Sequence, residues 1–291
     1  MQPPEKGSNP RSRSGDGTLD LQSHKSPVTR APSSNLSRVW HYLNEDIRVS
    51  CLAELELLIL TFCIGLQDAV SFPDFHCFAS NQTGNTVFLV LAVVLPEVNG
   101  DMFVTANIGV ALGFFLAAAW LTGQLGHVVG ARRRLWLVFC NLAQSCLVLA
   151  AAAVQYLNRP PGGPLAPLDG AWTTMPGTLW AIGLLATAAG SQVVLSRSLR
   201  LTEISTAMAT AAWLDLVIDR DLFALRNRPR NRRIGFLAAL ILGTLAGAFI
   251  FRRVGSPAAL MVSGAGKMLV TVMFLFNGAE KPKVTDPEDS A

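Results

Sequence analysis

The chain has 291 residues, of which 51% are hydrophobic and only 15% charged, and its formal net charge is +4. Ordinary soluble domains carry roughly 25% charged residues. Here the apolar excess is packed between polar ends at 1–50 and 279–291, which excludes a disordered chain, a disulfide-stapled secreted domain and almost every soluble enzyme class.

Residues 1–46 hold six basic and five acidic side chains among many Ser, Pro and Gly. Such a stretch cannot bury enough apolar area to offset the entropy of ordering, so it is expected to be a solvated tail. Near its end, just before the first span, Trp40, Tyr42 and Leu43 are read as an interfacial anchor. A helical span needs about 20 mostly apolar residues. Six segments qualify, at about 52–72, 104–125, 135–156, 177–196, 234–251 and 257–276. Pro73 is expected to stop the first of them. Between the third and fourth, residues 158–176 carry Pro and Gly at a density that forbids a helix, so they are read as a hinge. Two further segments, about 78–95 and 202–219, begin polar (FASNQTGN and TEISTAMAT) and end apolar. The Arg-rich stretch 220–233 is read as a loop held at an anionic leaflet.

Loop charge decides whether those two segments cross. If both do, seven of the loop arginines lie on each side. If both dip in and return, eleven lie on one side and three (Arg159, Arg252 and Arg253) on the other. The second count is the asymmetry expected of a membrane protein. It gives six spans with both termini cytoplasmic, and leaves Arg252 and Arg253 without an explanation. The basic surplus belongs to these loops. No basic patch is interleaved with aromatic residues, and no nucleic-acid partner is expected.

The two halves also resemble each other. Ile64-Gly65-Leu66-Gln67 matches Ala189-Gly190-Ser191-Gln192, Thr83 to Thr86 matches Thr206 to Ala209 weakly, and Ile108-Gly109 matches Ile234-Gly235, at offsets of 125, 123 and 126 residues. With three crossings per half, the second copy would be inverted, a plan shared by many transporters. The expected fold is therefore all-α: a polytopic helical membrane protein with about six transmembrane helices plus two broken or re-entrant segments, arranged as two inverted repeats. Its parts are the tail at 1–46, a membrane domain at 47–278 (repeat one 50–157, hinge 158–176, repeat two 177–278) and a C-terminal tail at 279–291.

Candidate functional residues follow from what a bilayer tolerates. Irregular backbone at membrane depth occurs only where it is buried in protein or lines a wet cavity. The stretch around Asn81, Gln82, Thr83, Gly84 and Asn85 has that character. Its amides and hydroxyls either coordinate a solute or cap and brace the helices, with Thr83 or Asn85 as the expected cap. Gln67 and Asp68 lie late in the first span, and Gln192 is the repeat counterpart of Gln67. A carboxylate or ammonium inside a span is a functional candidate by default. Lys267 lies near the middle of the last span, too deep for its amine to snorkel. It is expected to face the bundle interior beside Glu203, Asp215 or Asp68, in a structural pair or in a substrate or proton role. Thr206 completes the candidate set as the counterpart of Thr83. Asp74 and His76 are expected beside Asp68, at the outer mouth of the first span. The five cysteines form no CxxC pair and are read as packing residues. The chain has no Walker, HExxH or GxSxG motif and no Cys/His metal spacing. No enzyme activity, cofactor or metal is expected.

The stretch Gly65-Leu-Gln-Asp-Ala69 followed by FASNQTGNTV at 78–87 resembles the YoaK family, also called DUF1275, and the long Ser- and Pro-rich tail is similar to that of fungal members. The family's Gly-x-x-Asp/Asn-Ala element is matched by Gly65, Asp68 and Ala69, and its Thr-Gly-Asn element by Thr83, Gly84 and Asn85. In the second half Gly190 and Gln192 match, while Val193 and Ala207 depart from the family's Asn and Gly. The resemblance covers about 47–278 and implies an integral membrane protein with no established activity. Two functions remain open at this level. One is a secondary transporter or channel-like carrier of a small solute, its site between the two broken segments. The other is a non-transporting scaffold or accessory protein of a biosynthetic or regulatory partner. The bilayer is the partner common to both.

Overall fold

The computed structural model describes residues 35–100, 102–158 and 175–280. Among these residues there are nine α-helices and no strands: α1 (Asn35–Leu43), α2 (Cys51–Phe75), α3 (Gln82–Val94), α4 (Thr105–Val129), α5 (Arg134–Asn158), α6 (Pro176–Ser198), α7 (Ala209–Val217), α8 (Arg228–Arg253) and α9 (Ser256–Phe274). Six of them, α2, α4, α5, α6, α8 and α9, are long and apolar enough to cross a membrane. The chain is a multi-pass membrane protein. Most of the hinge, 159–174, lies outside the described residues, as do 1–34 and 281–291.

Four boundaries differ from expectation. Helix α1 forms inside the region read as tail, because Arg38 and His41 fall on one side of it and Val39, Trp40 and Leu43 on the other. Helix α2 runs through Pro73 to Phe75, and His76 ends it in the left-handed region at φ 53°. A proline two residues before a helix end disturbs little of the ladder. Helix α3 is capped by Asn81, whose Oδ1 accepts from Gly84 N (3.3 Å), rather than by Thr83 or Asn85. Helix α8 starts at Arg228, inside the stretch read as a loop. Asn227 caps it by accepting from Arg230 N at 2.9 Å, and Pro229 fits its first turn.

The ends of the bundle are well defined. Ile47 N donates to Arg132 O (3.0 Å), Arg48 N to Gly278 O (2.9 Å) and Glu280 N to Asp46 O (2.8 Å). The start of α2, the α4–α5 turn and the segment after α9 therefore meet at one end. Arg134 fastens them: it is fully buried, donates to Tyr42 O and Asn277 O, and lies over the Tyr42 ring at 3.6 Å. Asn277 in turn donates to both oxygens of the buried Glu56 at 2.7 Å. At the other end Asn107 donates to Phe75 O (2.8 Å) and Ser256 to Gln155 (3.2 Å). Because Ile47 and Arg132 lie at the same end, α2 and α4 cross as a pair and α3 adds no crossing. Arg252 and Arg253 fall at the far end, in the last turn of α8, where a cation is favoured by the helix dipole.

Within the bundle α2 packs on α8 and α9, α4 on α6, and α5 on α6 and α9. The inner pair is α2 and α6, each 61% buried over its apolar window against 22% for α4 and α8, which face lipid. Glycine makes the two closest crossings possible. A Cβ on Gly65 would lie 2.6 Å from Leu240 O and 2.7 Å from Thr244 N, and one on Gly190 would collide with Phe115 O. Backbone meets backbone there, which only small residues allow.

The six-crossing path makes a direct expectation. In a background lacking the five native cysteines, Glu97→Cys and His127→Cys will label with a membrane-impermeant thiol reagent from opposite sides. Labelling of both from one side would overturn it.

Candidate functional site

Two polar zones occupy the bundle. The first is a seam through its centre. Lys267, on α9, is fully buried, and its ammonium donates to Gln192 Oε1 on α6 and to Gln144 Oε1 on α5 (3.3 Å). Gln192 Nε2 donates on to Leu60 O of α2 (3.1 Å), and Gln144 Nε2 to Ser191 Oγ (3.2 Å). Gln67 of α2 donates to Ser263 Oγ (2.9 Å), and Ser263 donates to Cys63 O (2.9 Å). Asn141 holds the carbonyl of Lys267 at 2.7 Å. One cation thus links four helices through neutral amides.

The expected carboxylate partners of Lys267 lie elsewhere. Glu203 pairs with Arg232 (3.4 Å) and Asp215 with Arg233 (3.6 Å), at the arginine-rich end. Asp68 accepts from Ser80 Oγ at 2.6 Å. Arginines on the first turns of α8 sit closer to Glu203 and Asp215 than any residue at mid-bundle. The ammonium is left to amide oxygens, which solvate it without cancelling its charge.

The second zone is a cavity of about 510 Å³ between the two broken segments. Asp68, Ser80, Asn81, Gln82, Thr83 and Gly84 line one side. Residues 207–211, at the start of α7, line the other with Arg197, and Phe115, Val193 and Leu240 form an apolar wall. The buried Oδ1 of Asp68 has no hydrogen-bond partner among the described residues. Arg197 projects from the end of α6 and meets the sulfur of Met208 (Nη2 to Sδ 3.2 Å). A second recess of about 390 Å³ lies at the arginine-rich end, lined by Arg200, Glu203, Asp215 and Arg233, and it shares Arg197 and Met208 with the cavity.

Asp68, Asn81, Thr83 and Gly84 thus come together on the cavity, and Gln67, Gln192 and Lys267 come together in the seam. Glu203 lines the recess at the arginine-rich end. Asn85 and Thr206 line neither space. Asn85 is fully buried, accepts from Phe78 N (2.9 Å) and donates to Phe78 O (2.7 Å) and Gln82 Oε1 (2.8 Å), so it holds the loop that forms the wall. Thr206 is buried at φ 59° and donates to Ser196 Oγ (3.4 Å). Arg197, Gln144 and Ser191 are additions. Arg197 sits in the sequence among arginines whose evident role is topological, and Gln144 carries no signal beyond being an amide inside a span, which the same rule of intramembrane polarity would have flagged. Cys77, in the loop after α2, is packed among Val70, Phe75 and Ala79, and burial pushes its thiol well above the ordinary range. Among the described residues no group of three His, Cys, Asp or Glu side chains is placed to hold a metal ion.

A family model described as "Protein of unknown function (DUF1275)" matches residues 57–273, and the chain belongs to that family. The match takes in both polar zones. No curated protein and no solved structure matches the chain.

Proposed function

We propose, starting from membership of a family whose description names no activity, that the chain is a carrier of a small polar solute, with the cavity between the two broken segments as its binding site. The observation that carries this reading is the cavity itself. It brings polar side chains together inside an apolar bundle, and its volume of about 510 Å³ lies within the range of roughly 300–1,000 Å³ typical of small-molecule sites. Two of its walls include helix starts, those of α3 and α7, which is where half-helices of transporters present free backbone groups to solute.

The helix pairings lend further support. Exchanging α2–α5 for α6–α9 turns the α2–α8 contact into α6–α4, the α5–α6 contact into α9–α2, and the α5–α9 contact into itself. A pair of inverted repeats would pack in this way, and rocking one against the other would open the cavity to alternate sides. In this reading the arginine-rich end faces the cytoplasm.

The test is solute entry into proteoliposomes holding the full chain. Vesicles shrunk in hyperosmotic glycerol, glucose, glycine, L-leucine or ammonium chloride are followed by light scattering. At least one solute will re-enter about tenfold or more faster than into protein-free vesicles. Thr83→Trp, which fills the cavity from α3, will abolish the difference. Equal rates for every solute would reject the carrier and leave the non-transporting scaffold.

A further inference from the structure

The cavity between the two broken segments has opposite charges on its walls, and they do not neutralise each other. Asp68 comes from α2 and is fixed by Ser80, so one carboxylate oxygen stays buried and unpartnered. Arg197 comes from α6 and touches a methionine sulfur. Among the described residues no ion pair joins the two, although both line the same space. A buried carboxylate without a counter-ion is unfavourable, so a cationic group entering beside Asp68 would gain what the protein withholds. A guanidinium is the best donor set for a carboxylate. Its side of the cavity also holds the start of α7, which has no side-chain cap and so offers free N–H groups. The remaining wall, Phe115, Val193 and Leu240, is hydrocarbon.

We infer that the cavity takes a zwitterionic solute of the α-amino-acid type, its ammonium on Asp68, its carboxylate on Arg197 and the α7 start, and its apolar side chain on the Phe115–Val193–Leu240 wall. This deepens the carrier reading by naming a solute class, and the site could bind such a solute even if nothing were carried. A neutral polyol would leave both charges unmatched. A simple anion would face Asp68, and a simple cation Arg197.

Binding to the purified full chain in detergent is measured by calorimetry. The probes are glycine, L-leucine and L-phenylalanine, with isoamylamine (leucine lacking its carboxylate) and 4-methylpentanoate (leucine lacking its ammonium). L-Leucine will bind about tenfold or more tighter than either half. Asp68→Asn will weaken L-leucine and isoamylamine and leave 4-methylpentanoate unchanged. Arg197→Gln will weaken L-leucine and 4-methylpentanoate and leave isoamylamine unchanged. Thr210→Trp, which fills the cavity without altering a charge, will abolish binding of all three.

The inference is overturned if no amino acid binds, if either half binds as tightly as L-leucine, or if Thr210→Trp leaves binding intact. The comparison of L-leucine with its halves uses the unaltered protein, so it stands even where a variant fails to fold. The outcomes separate this inference from the carrier reading. Entry of glycerol or glucose alone keeps the carrier and removes the zwitterion. L-Leucine binding without entry of any solute does the reverse.

Discussion

Lys267→Met is expected to leave the protein folded and to reduce solute entry by about tenfold or more. Two effects of opposite sign act on its stability. Removing the ammonium abolishes the hydrogen bonds to Gln144 and Gln192, each worth about 1.5–3 kcal/mol for a charged donor. It also removes a fully buried cation with no carboxylate partner among the described residues, whose desolvation is unfavourable by several kcal/mol. Methionine keeps the length and volume of the chain, so the two nearly cancel, and the melting temperature should shift by no more than about 4 °C. Lys267→Ala also opens a void, and large-to-small core changes cost about 2–5 kcal/mol, so it should melt clearly lower.

Activity has no such cancellation. Lys267 ties α9 to α5 and α6, and through Gln192 it reaches Leu60 on α2. Gln192 is next to Val193 in the cavity wall. Any rearrangement of one half against the other must re-form these bonds, and methionine has none to re-form. Parallel melting and proteoliposome measurements decide the matter. Full flux with an unchanged melting temperature would make Lys267 a packing residue, and loss of both would make it a structural one.

The second large effect is steric. Gly190→Val and Gly243→Val are expected to destabilise the protein by about 3 kcal/mol or more, lowering the melting temperature by at least about 6 °C. A Cβ at Gly190 meets Phe115 O, and one at Gly243 meets Phe62 O. These are backbone atoms of the facing helix and cannot rotate away, so the helices must part along their length. Gly109→Ala and Gly123→Ala are the matched controls. Nothing lies within 4 Å of a Cβ at either position, and replacing a helical glycine by alanine is neutral or favourable by up to about 1 kcal/mol. Thermal unfolding of the four variants in one detergent makes the comparison. Equal melting of the valine and alanine variants would show that the close crossings are not tight.

The spans were legible because a bilayer imposes a length on its helices. The interior placement of Lys267 was legible because lipid cannot solvate an ammonium at mid-depth. Its partners were not, because they depend on the rotational phase of α9 against α5 and α6, which no single helix encodes. Glu203 and Asp215 looked available by charge alone, yet Arg232 and Arg233 reach them first. The start of α8 was hidden for a related reason. Four arginines on its first six positions defeat hydropathy, whereas Asn227 and Pro229 fix the helix locally. Asn85 illustrates the opposite error: its residue type fits ligand binding, but its amide is used up by the loop it supports.

The interleaved pairing of helices bears on how the chain is made. Helix α2 finds its main partner in α8, which is synthesised more than a hundred and fifty residues later, and α4 finds its own only in α6. During translation the early helices therefore enter the bilayer with their tightest faces, Gly65 among them, still open to lipid or to other nascent segments. Maturation must wait for the second half to thread between them. A premature stop after α5 would leave a fragment without its natural cover, an obvious client for membrane quality control.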